Sequence, residues 1–542
     1  MSSLRREEES LQHTELDVDV EKQTSSSVPS DAEREGTANQ NELGPKSKRA
    51  HFFSPLDPAV AEAVNLDAET VEYTPEEEYK VKRKIDNVVL PLVICSYIFN
   101  QFDRTNIGNA HVITAFNENF GITDNKKWTL ALSIFYVGYC LLEMPANVLQ
   151  RRIGANRLPW PYCSFFLSLT FWGLASLSFV YAKGYGALLA LRVLLGIGEA
   201  GYYAGMIYYL SFWYKRHELA MRVSLCMTGT YPGAIGGLLA FGLVRAKTSV
   251  LDGWQFLYLV EAIPTLIMAT MILFFLPPFP FFATFLTPRE RAIAQARLNR
   301  DHKPQSHGGM NGWQGFKAVV TDIHAWMFMT VYASFNVGVA TISYFLPTII
   351  AGLGFTAINA QGLTVAPYIV GWFMVIFQAW HSDRTRDRGW HIMLSCFVSF
   401  VGYLILATAV QESVGAAYFS LFLVIGGLYS LFPLVMSWAA NTFAPTSKRG
   451  VGTAFIVSIS NCVSIASPQI YFDPEDSYRK GHAISAGCVF LSMLVAFLLR
   501  MRLSRLNKRN AEKLDLMTED EKASLGQVSE ISDMDPRYVF MT

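Results

Sequence analysis

Between residues 86 and 501 the chain contains twelve predominantly apolar runs, near 86–110, 128–149, 159–180, 185–210, 221–244, 255–276, 326–350, 362–381, 391–410, 415–438, 450–471 and 482–501. At ~1.5 Å of rise per residue, a helix of about twenty such residues crosses the ~30 Å of hydrocarbon in a bilayer. No water-soluble fold buries that many. Over the 542 residues only 17% are charged and 51% are hydrophobic, against roughly 25% charged in soluble domains. Mean hydropathy is positive at +0.24, although the first 80 residues are polar. A disordered chain, a coiled coil and a cytosolic enzyme are excluded. The expected fold is an all-α membrane protein of twelve transmembrane helices.

The runs fall into six and six, which divides the chain into five parts. Residues 1–85, rich in Glu, Ser, Thr and Gln, read as a disordered cytoplasmic tail without the apolar core of a signal peptide. A first six-helix half spans 86–276, a polar central loop 277–325, and a second half 326–501. Residues 502–542 form a second tail, basic at first and then acidic. Within the central loop, Thr287 and Pro288 are suited to cap and begin a short amphipathic helix. Lys and Arg in the short loops fix the orientation. The side of the tails carries Arg151, Arg152, Arg157, Lys215, Arg216, Arg222, Arg289, Arg291, Arg297, Arg300, Lys303, Lys317, Arg384, Arg386, Arg388, Lys448 and Arg449, which is 17. The other side carries Lys126, Lys127, Lys183, Arg245, Lys247, Arg479 and Lys480, which is 7. Both termini are therefore expected in the cytoplasm, and with no sorting signal evident the plasma membrane is the expected site.

Several chemistries are missing. The 45 basic and 45 acidic residues form no large basic patch, so no nucleic-acid partner is expected. The seven cysteines lie inside apolar runs without a CxxC or Cys/His ligand spacing and read as buried inert thiols. No nucleophile–base pair, phosphate loop or metal cluster points to an enzyme, and no cofactor is expected.

What does stand out is charge inside the runs, where each charged side chain costs at least ~2.5–3.5 kcal/mol near the bilayer centre. Asp103 and Arg104 lie in the first run, Arg192 and Glu199 in the fourth. Asp103 is ~25 Å along its helix from the cytoplasmic edge and Arg192 ~20 Å from that edge, so opposite charges meet at similar depth. Arg192 and Glu199, seven residues apart, share a helix face but are ~10 Å apart in rise and cannot pair. Each needs a partner on another helix or in a substrate. A structural ion-pair network is one reading; a cavity that handles protons and anions is the favoured one. Glu143 and Glu261, beside Pro145 and Pro264, read as hydrogen-bonding backbone freed at helix breaks. Gly196, Gly198, Gly201 and Gly205 read as close helix packing.

The motifs Phe102-Asp-Arg-Thr-Asn-Ile-Gly-Asn-Ala110, Tyr139-Cys-Leu-Leu-Glu-Met-Pro-Ala-Asn147, Arg192-Val-Leu-Leu-Gly-Ile-Gly-Glu-Ala-Gly201, Gly253-Trp-Gln-Phe-Leu257, Phe345-Leu-Pro-Thr348, Ser382-Asp-Arg384 and Asn461-Cys-Val-Ser-Ile-Ala-Ser-Pro-Gln-Ile470 are similar to those of the major facilitator superfamily. Within it the chain resembles the anion:cation symporter branch and its fungal allantoate-permease-like group, over about residues 80–505. That resemblance implies two pseudo-symmetric six-helix halves, with Asp103 and Glu199 as proton-coupling carboxylates. Arg104, Arg192 and Tyr139 would face the substrate, with Asn441 and Asn461 as further polar contacts. The loop signature G-x-x-x-D-R-x-G-R-R is only partly kept after the second run: Arg152 and Gly154 match, but Arg151 occupies the acidic position. Its counterpart after the eighth run keeps Asp383-Arg384, so gating contacts are expected at Arg152, Gly154, Asp383 and Arg384.

The function expected is proton-coupled uptake of a small organic anion, such as a carboxylated vitamin or ureide, by a monomer in the lipid bilayer. The proton gradient would supply the driving force. The rival is a proton antiporter that exports a metabolite, loosely supported by Gly229-Thr-Tyr-Pro-Gly-Ala-Ile-Gly-Gly237, where proline and glycine stand in reversed order relative to the antiporter motif. A nutrient sensor that binds without transport is the third.

Overall fold

The computed structural model describes residues 71–542 except 155–159, 216–217, 220–221, 224–229, 244–250, 278, 281–282, 302–311, 445, 519–532 and 534. The tail reading for residues 1–70 lies outside the described residues. Among the described residues there are sixteen α-helices, two short 3₁₀ turns and no strand. In chain order these are α1 (Pro75–His111), α2 (Thr114–Phe120), α3 (Asn125–Gly154), α4 (Trp160–Ser178), α5 (Tyr185–Glu199), α6 (Tyr202–Ser211), α7 (Thr230–Leu243) and α8 (Gly253–Phe275). There follow α9 (Pro288–Asp301), α10 (Gly312–Val320), α11 (Ile323–Gly352), α12 (Ala357–Thr385), α13 (Gly389–Ala409), α14 (Val414–Thr442), α15 (Thr446–Cys462) and α16 (Arg479–Leu516). By length and composition α1, α8, α11, α12, α13, α14 and α16 are long and apolar enough to cross a membrane, and Phe165–Ser178 and Thr230–Leu243 are shorter apolar helices. Their outer faces expose large apolar side chains such as Leu167, Phe274, Phe373 and Phe377, as helices turned to lipid do.

The ends of α1 and α16 correct the expected boundaries at 85 and 501, which fall inside helices. Thr74 caps α1 by accepting from Glu77 N at 3.3 Å while Glu77 Oε2 accepts from Thr74 N at 3.1 Å, a capping box that starts the helix eleven residues before its apolar part. The same device starts α9: Glu290 N donates to Thr287 Oγ1 at 3.3 Å and Thr287 N to Glu290 Oε2 at 2.9 Å. Around it, at the loop end of the bundle, Arg297 is fully buried and pairs with both Glu218 and Glu78. Lys215–Glu78 at 2.5 Å, Arg222–Asp86 at 2.8 Å and Lys84–Glu290 at 2.5 Å complete the network.

The first half packs α3 on α5 and α4 on α8; the second packs α13 between α14 and α16. Gly196 of α5 meets the Phe135 carbonyl so closely that no Cβ fits. Gly201, at φ +107°, instead breaks the fourth run between α5 and α6, a backbone conformation that glycine adopts without steric cost. Packing alone does not describe that glycine stripe.

The halves meet mainly at the opposite, far end. There α7 lies along α12, α1 along α11, and α3 against the turns Val463–Ile465 and Ser467–Ile470. The contacts are uncharged: Gln361 Nε2 to Asn109 O at 2.8 Å, Asn125 Nδ2 to Tyr471 O at 2.6 Å, Thr129 Oγ1 to Gln469 Oε1 at 3.1 Å, and Gln469 Nε2 to Ser133 Oγ at 3.0 Å.

Residues 535–542 with Asp533 form a strap across the loop end of the second half. Trp438 Nε1 donates to Met541 O at 2.8 Å, Arg388 N to Thr542 O at 3.0 Å, and Tyr538 Oη to Asn441 O at 2.7 Å. Asn507 both donates to Phe540 O and accepts from Phe540 N, at 2.8 and 2.9 Å. Lys448 bridges Asp322 at 2.8 Å and Asp533 at 2.5 Å. Burial pushes the Asp322 carboxyl up, but the hydrogen bonds from His324 and Lys448 outweigh it and hold the group well below its ordinary value; the same two aspartates raise Lys448.

Candidate functional site: the central cavity

Helical period places one stripe of each central helix on a common cavity. From α1 come Tyr97, Gln101 and Arg104, spaced four and three. From α11 come Tyr332, Phe335, Asn336 and Val339, and from α14 Leu428, Tyr429, Phe432 and Pro433. Tyr139 of α3, Tyr203 of α6 and Asn461 of α15 close the ring. This lobe is a cavity of about 140 Å³, and an adjoining one of about 90 Å³ shares Gln101, Arg104, Asn336, Tyr429 and Asn461.

Arg104 is the charge on its wall. Its Nε and Nη2 donate to Glu199 Oε2 at 3.0 and 2.8 Å, and its guanidinium lies 5.0 Å from the Tyr139 ring centre and 5.3 Å from that of Phe135. The arginine side chain is 23% exposed and the glutamate 0%. A molecule in the cavity therefore reaches the guanidinium and not the carboxylate. The other Glu199 oxygen is buried without a hydrogen bond among the described residues.

The remaining expected residues separate into three places. Asp103, next to Arg104 but about 100° around the helix, turns away from the cavity. It accepts from Ser176 Oγ at 2.5 Å and Thr265 Oγ1 at 3.0 Å. Arg192 also leaves the lining: its Nε donates to Ala131 O at 3.2 Å and its guanidinium stacks 4.7 Å from the Phe135 ring centre. The equal depth of Asp103 and Arg192 thus makes no pair, because facing as well as rise decides contact; the pair that forms is Arg104 with Glu199. Asn441 is a correction: it sits at the loop end under the strap, with Nδ2 3.7 Å from Met541 Sδ, outside the cavity lining. Asp383 pairs locally with Arg388, and Arg384 lies 5.9 Å from the Trp380 ring centre. Arg152 and Gly154 occupy the last turn of α3, and their side chains lie outside the described residues.

Three further readings change. Glu143 does not cap a helix break: its Oε1 accepts from Asn461 Nδ2 at 3.4 Å, across the two halves. Glu261 has no hydrogen bond to either carboxyl oxygen among the described residues. Cys95 and Cys462 are exposed rather than buried, and no disulfide forms among the described cysteines. The lining tyrosines and amides, Tyr97, Gln101, Tyr203, Tyr332, Asn336 and Tyr429, were missed. Counting back three and seven residues from Arg104 would have found Gln101 and Tyr97.

Comparison with known proteins fits this architecture. The family model "Major Facilitator Superfamily" matches residues 93–468. A transporter from a fungus, "MFS transporter prlL" of Fungal sp. (strain NRRL 50135), is 30% identical over 79% of this chain and 87% of its own. "Major facilitator-type transporter hxnP" of Emericella nidulans is 34% identical over 72% of this chain and 79% of its own. Among solved structures, a D-xylose-proton symporter superposes with a TM-score of 0.59 at 15% identity, covering 76% of this chain and 96% of that one. The chain belongs to the Major Facilitator Superfamily. It is a membrane transporter with an all-helical fold, and its relatives are transporters rather than enzymes.

Proposed function

We propose that the protein is a proton-coupled symporter of a small organic anion, working as a monomer with two six-helix halves, twelve spans and both termini in the cytoplasm of the plasma membrane. The observation that carries this reading is the Arg104–Glu199 pair, an arginine reachable from the cavity and held by a carboxylate that is not. A proton on Glu199 replaces the ion pair and frees the guanidinium, whose planar fork then takes a substrate carboxylate bidentately. Anion and proton enter together as a neutral load, so the cavity never holds an uncompensated charge. Tyr139, Asn336 and Asn461 supply hydroxyl and amide groups to orient the rest of the molecule. With the far end sealed and the loop end unsealed by comparable contacts among the described residues, this conformation faces the cytoplasm, and rocking of the halves exposes the site alternately.

The test is uptake of radiolabelled organic anions into expressing cells under an inward proton gradient. Accumulation is expected. Glu199→Gln, with its pairing permanently weakened, should lower gradient-driven accumulation by about ten-fold per unit of pH gradient, and Arg104→Lys should weaken anion uptake although charge is retained. Depletion of a preloaded compound would identify an exporter in the same cavity, and binding without either flux a sensor. Unchanged gradient-driven uptake in Glu199→Gln would remove the assignment.

A further inference from the structure

The cavity does not use every acid buried in the first half. Glu261 of α8 is 1% exposed, and neither carboxyl oxygen meets a donor among the described residues. One turn along the same face, Thr265 Oγ1 stands 3.0 Å from Asp103 Oδ2 and 2.9 Å from the Glu261 backbone carbonyl. Glu261 and Asp103 are thus neighbours across the α1–α8 contact.

The elements packed on α8 offer Glu261 no counter-charge. α4 presents Trp172 and Ser176 and has no charged side chain in residues 165–178. α7 has none at all. α1 presents Asp103, a like charge, while its Arg104 is committed to Glu199. On α5, Arg192 is turned to Ala131 O and the Phe135 ring. Tyr258, three residues before Glu261, has a buried hydroxyl that is also without a partner among the described residues. With Glu143, 3% exposed and bonded to Asn461, four buried carboxyl groups (Asp103, Glu143, Glu199 and Glu261) accompany two guanidiniums (Arg104 and Arg192). Two carboxyls must be neutral for the region to balance, and burial without donors penalises the charged form of Glu261 most.

We propose that Glu261 is a neutral carboxylic acid in this conformation and a second proton-carrying residue of the transport cycle, exchanging its proton with Asp103. In that step the O–H bond at Glu261 breaks and one forms at Asp103, with no other bond changed. The role in the cycle rests on the proton-coupled reading above; the protonated state of Glu261 does not.

Infrared spectroscopy of the purified full chain tests the state. The carbonyl stretch of a carboxylic acid without hydrogen bonds should be present at neutral pH, vanish in Glu261→Gln and move in Glu261→Asp. The second variant keeps the comparison open if the first fails to fold. Persistence of that band in both variants overturns the assignment. Reconstituted vesicles test the role. Each coupled proton contributes about a ten-fold accumulation ratio per unit of pH gradient. Glu261→Gln should therefore lower gradient-driven accumulation by that factor, and Glu261→Asp should recover it. Loss of the band with accumulation unchanged makes Glu261 a structural acid and overturns its role. Failure of the proton-coupled reading looks different: wild-type protein indifferent to the gradient while the band remains, which removes the cycle and this role with it.

Discussion

Gly108 offers a direct lever on the two-state equilibrium that transport requires. It lies in α1 where that helix crosses α11 at the far end, and a Cβ there would stand 2.5 Å from Tyr344 O and 3.1 Å from Tyr344 Cα. Both neighbours are backbone, so no side chain can swing aside. Overpacking of this kind costs about 1–3 kcal/mol. The cost falls only on the conformation in which the far end is closed, because rocking apart removes the contact. The helix-propensity gain of alanine over glycine, about 1 kcal/mol, applies to both conformations and cancels. Gly108→Ala should therefore raise the ratio of far-end-open to far-end-closed protein by about 5–150-fold. A Ser133→Cys reporter, in a background without other cysteines, reads the change. Ser133 is buried in the seal at 5% exposure, so an impermeant thiol reagent added outside reaches it only in the open state. Labelling of the double variant should speed up by the same factor while the seal is mostly closed. Labelling that is unchanged or slower, with the protein still folded, would refute the argument that this contact must part in each cycle.

Arg297→Met should destabilise the first half by about 3 kcal/mol, the low end for a broken buried pair, because Lys82 at 3.7 Å from Glu218 and Lys215 at 2.5 Å from Glu78 remain. Denaturant unfolding in detergent measures it, and a loss under about 1 kcal/mol, typical of exposed pairs, would mean the network is decorative. The strap should be docked at neutral pH and loosen in acid. Asp322 is depressed below its ordinary 3.8, so its contribution is present above that value and disappears as pH falls through the folded value. Hydrogen exchange of residues 535–542 checks this, and exchange that is flat through the acid range would contradict it. For topology, Lys183→Cys should react with impermeant reagents outside and Lys317→Cys should not; the reverse pattern inverts the membrane orientation.

The helical architecture and the residues carrying charge could be read from sequence because both depend on local composition: an apolar run must be long enough, and a buried charge is conspicuous. Facing was harder. Asp103 and Arg104 are adjacent in sequence, yet one joins α4 and α8 and the other the cavity, and rise along the helix cannot separate them. Glu261 was read as a partner of free backbone because Pro264 follows it, but the orphaned backbone does not draw in its carboxylate. Asn441 resembled a cavity amide; what occupies it is a segment about a hundred residues further on, a contact no local pattern announces. Gln101 and Tyr97, three and seven positions before Arg104, were present in the helical period and needed only to be counted from a charged anchor, whereas Tyr203, Tyr332, Asn336 and Tyr429 come from other helices.

The strap also bears on how the protein is made. Residues 535–542 and Asp533 are synthesised after every helix they fasten, so Trp438, Asn441 and Lys448 are made before the partners that the strap gives them. A nascent second half thus passes through a stage in which its loop end displays an indole N–H, an amide and an ammonium. That display is erased when residues 535–542 and Asp533 dock.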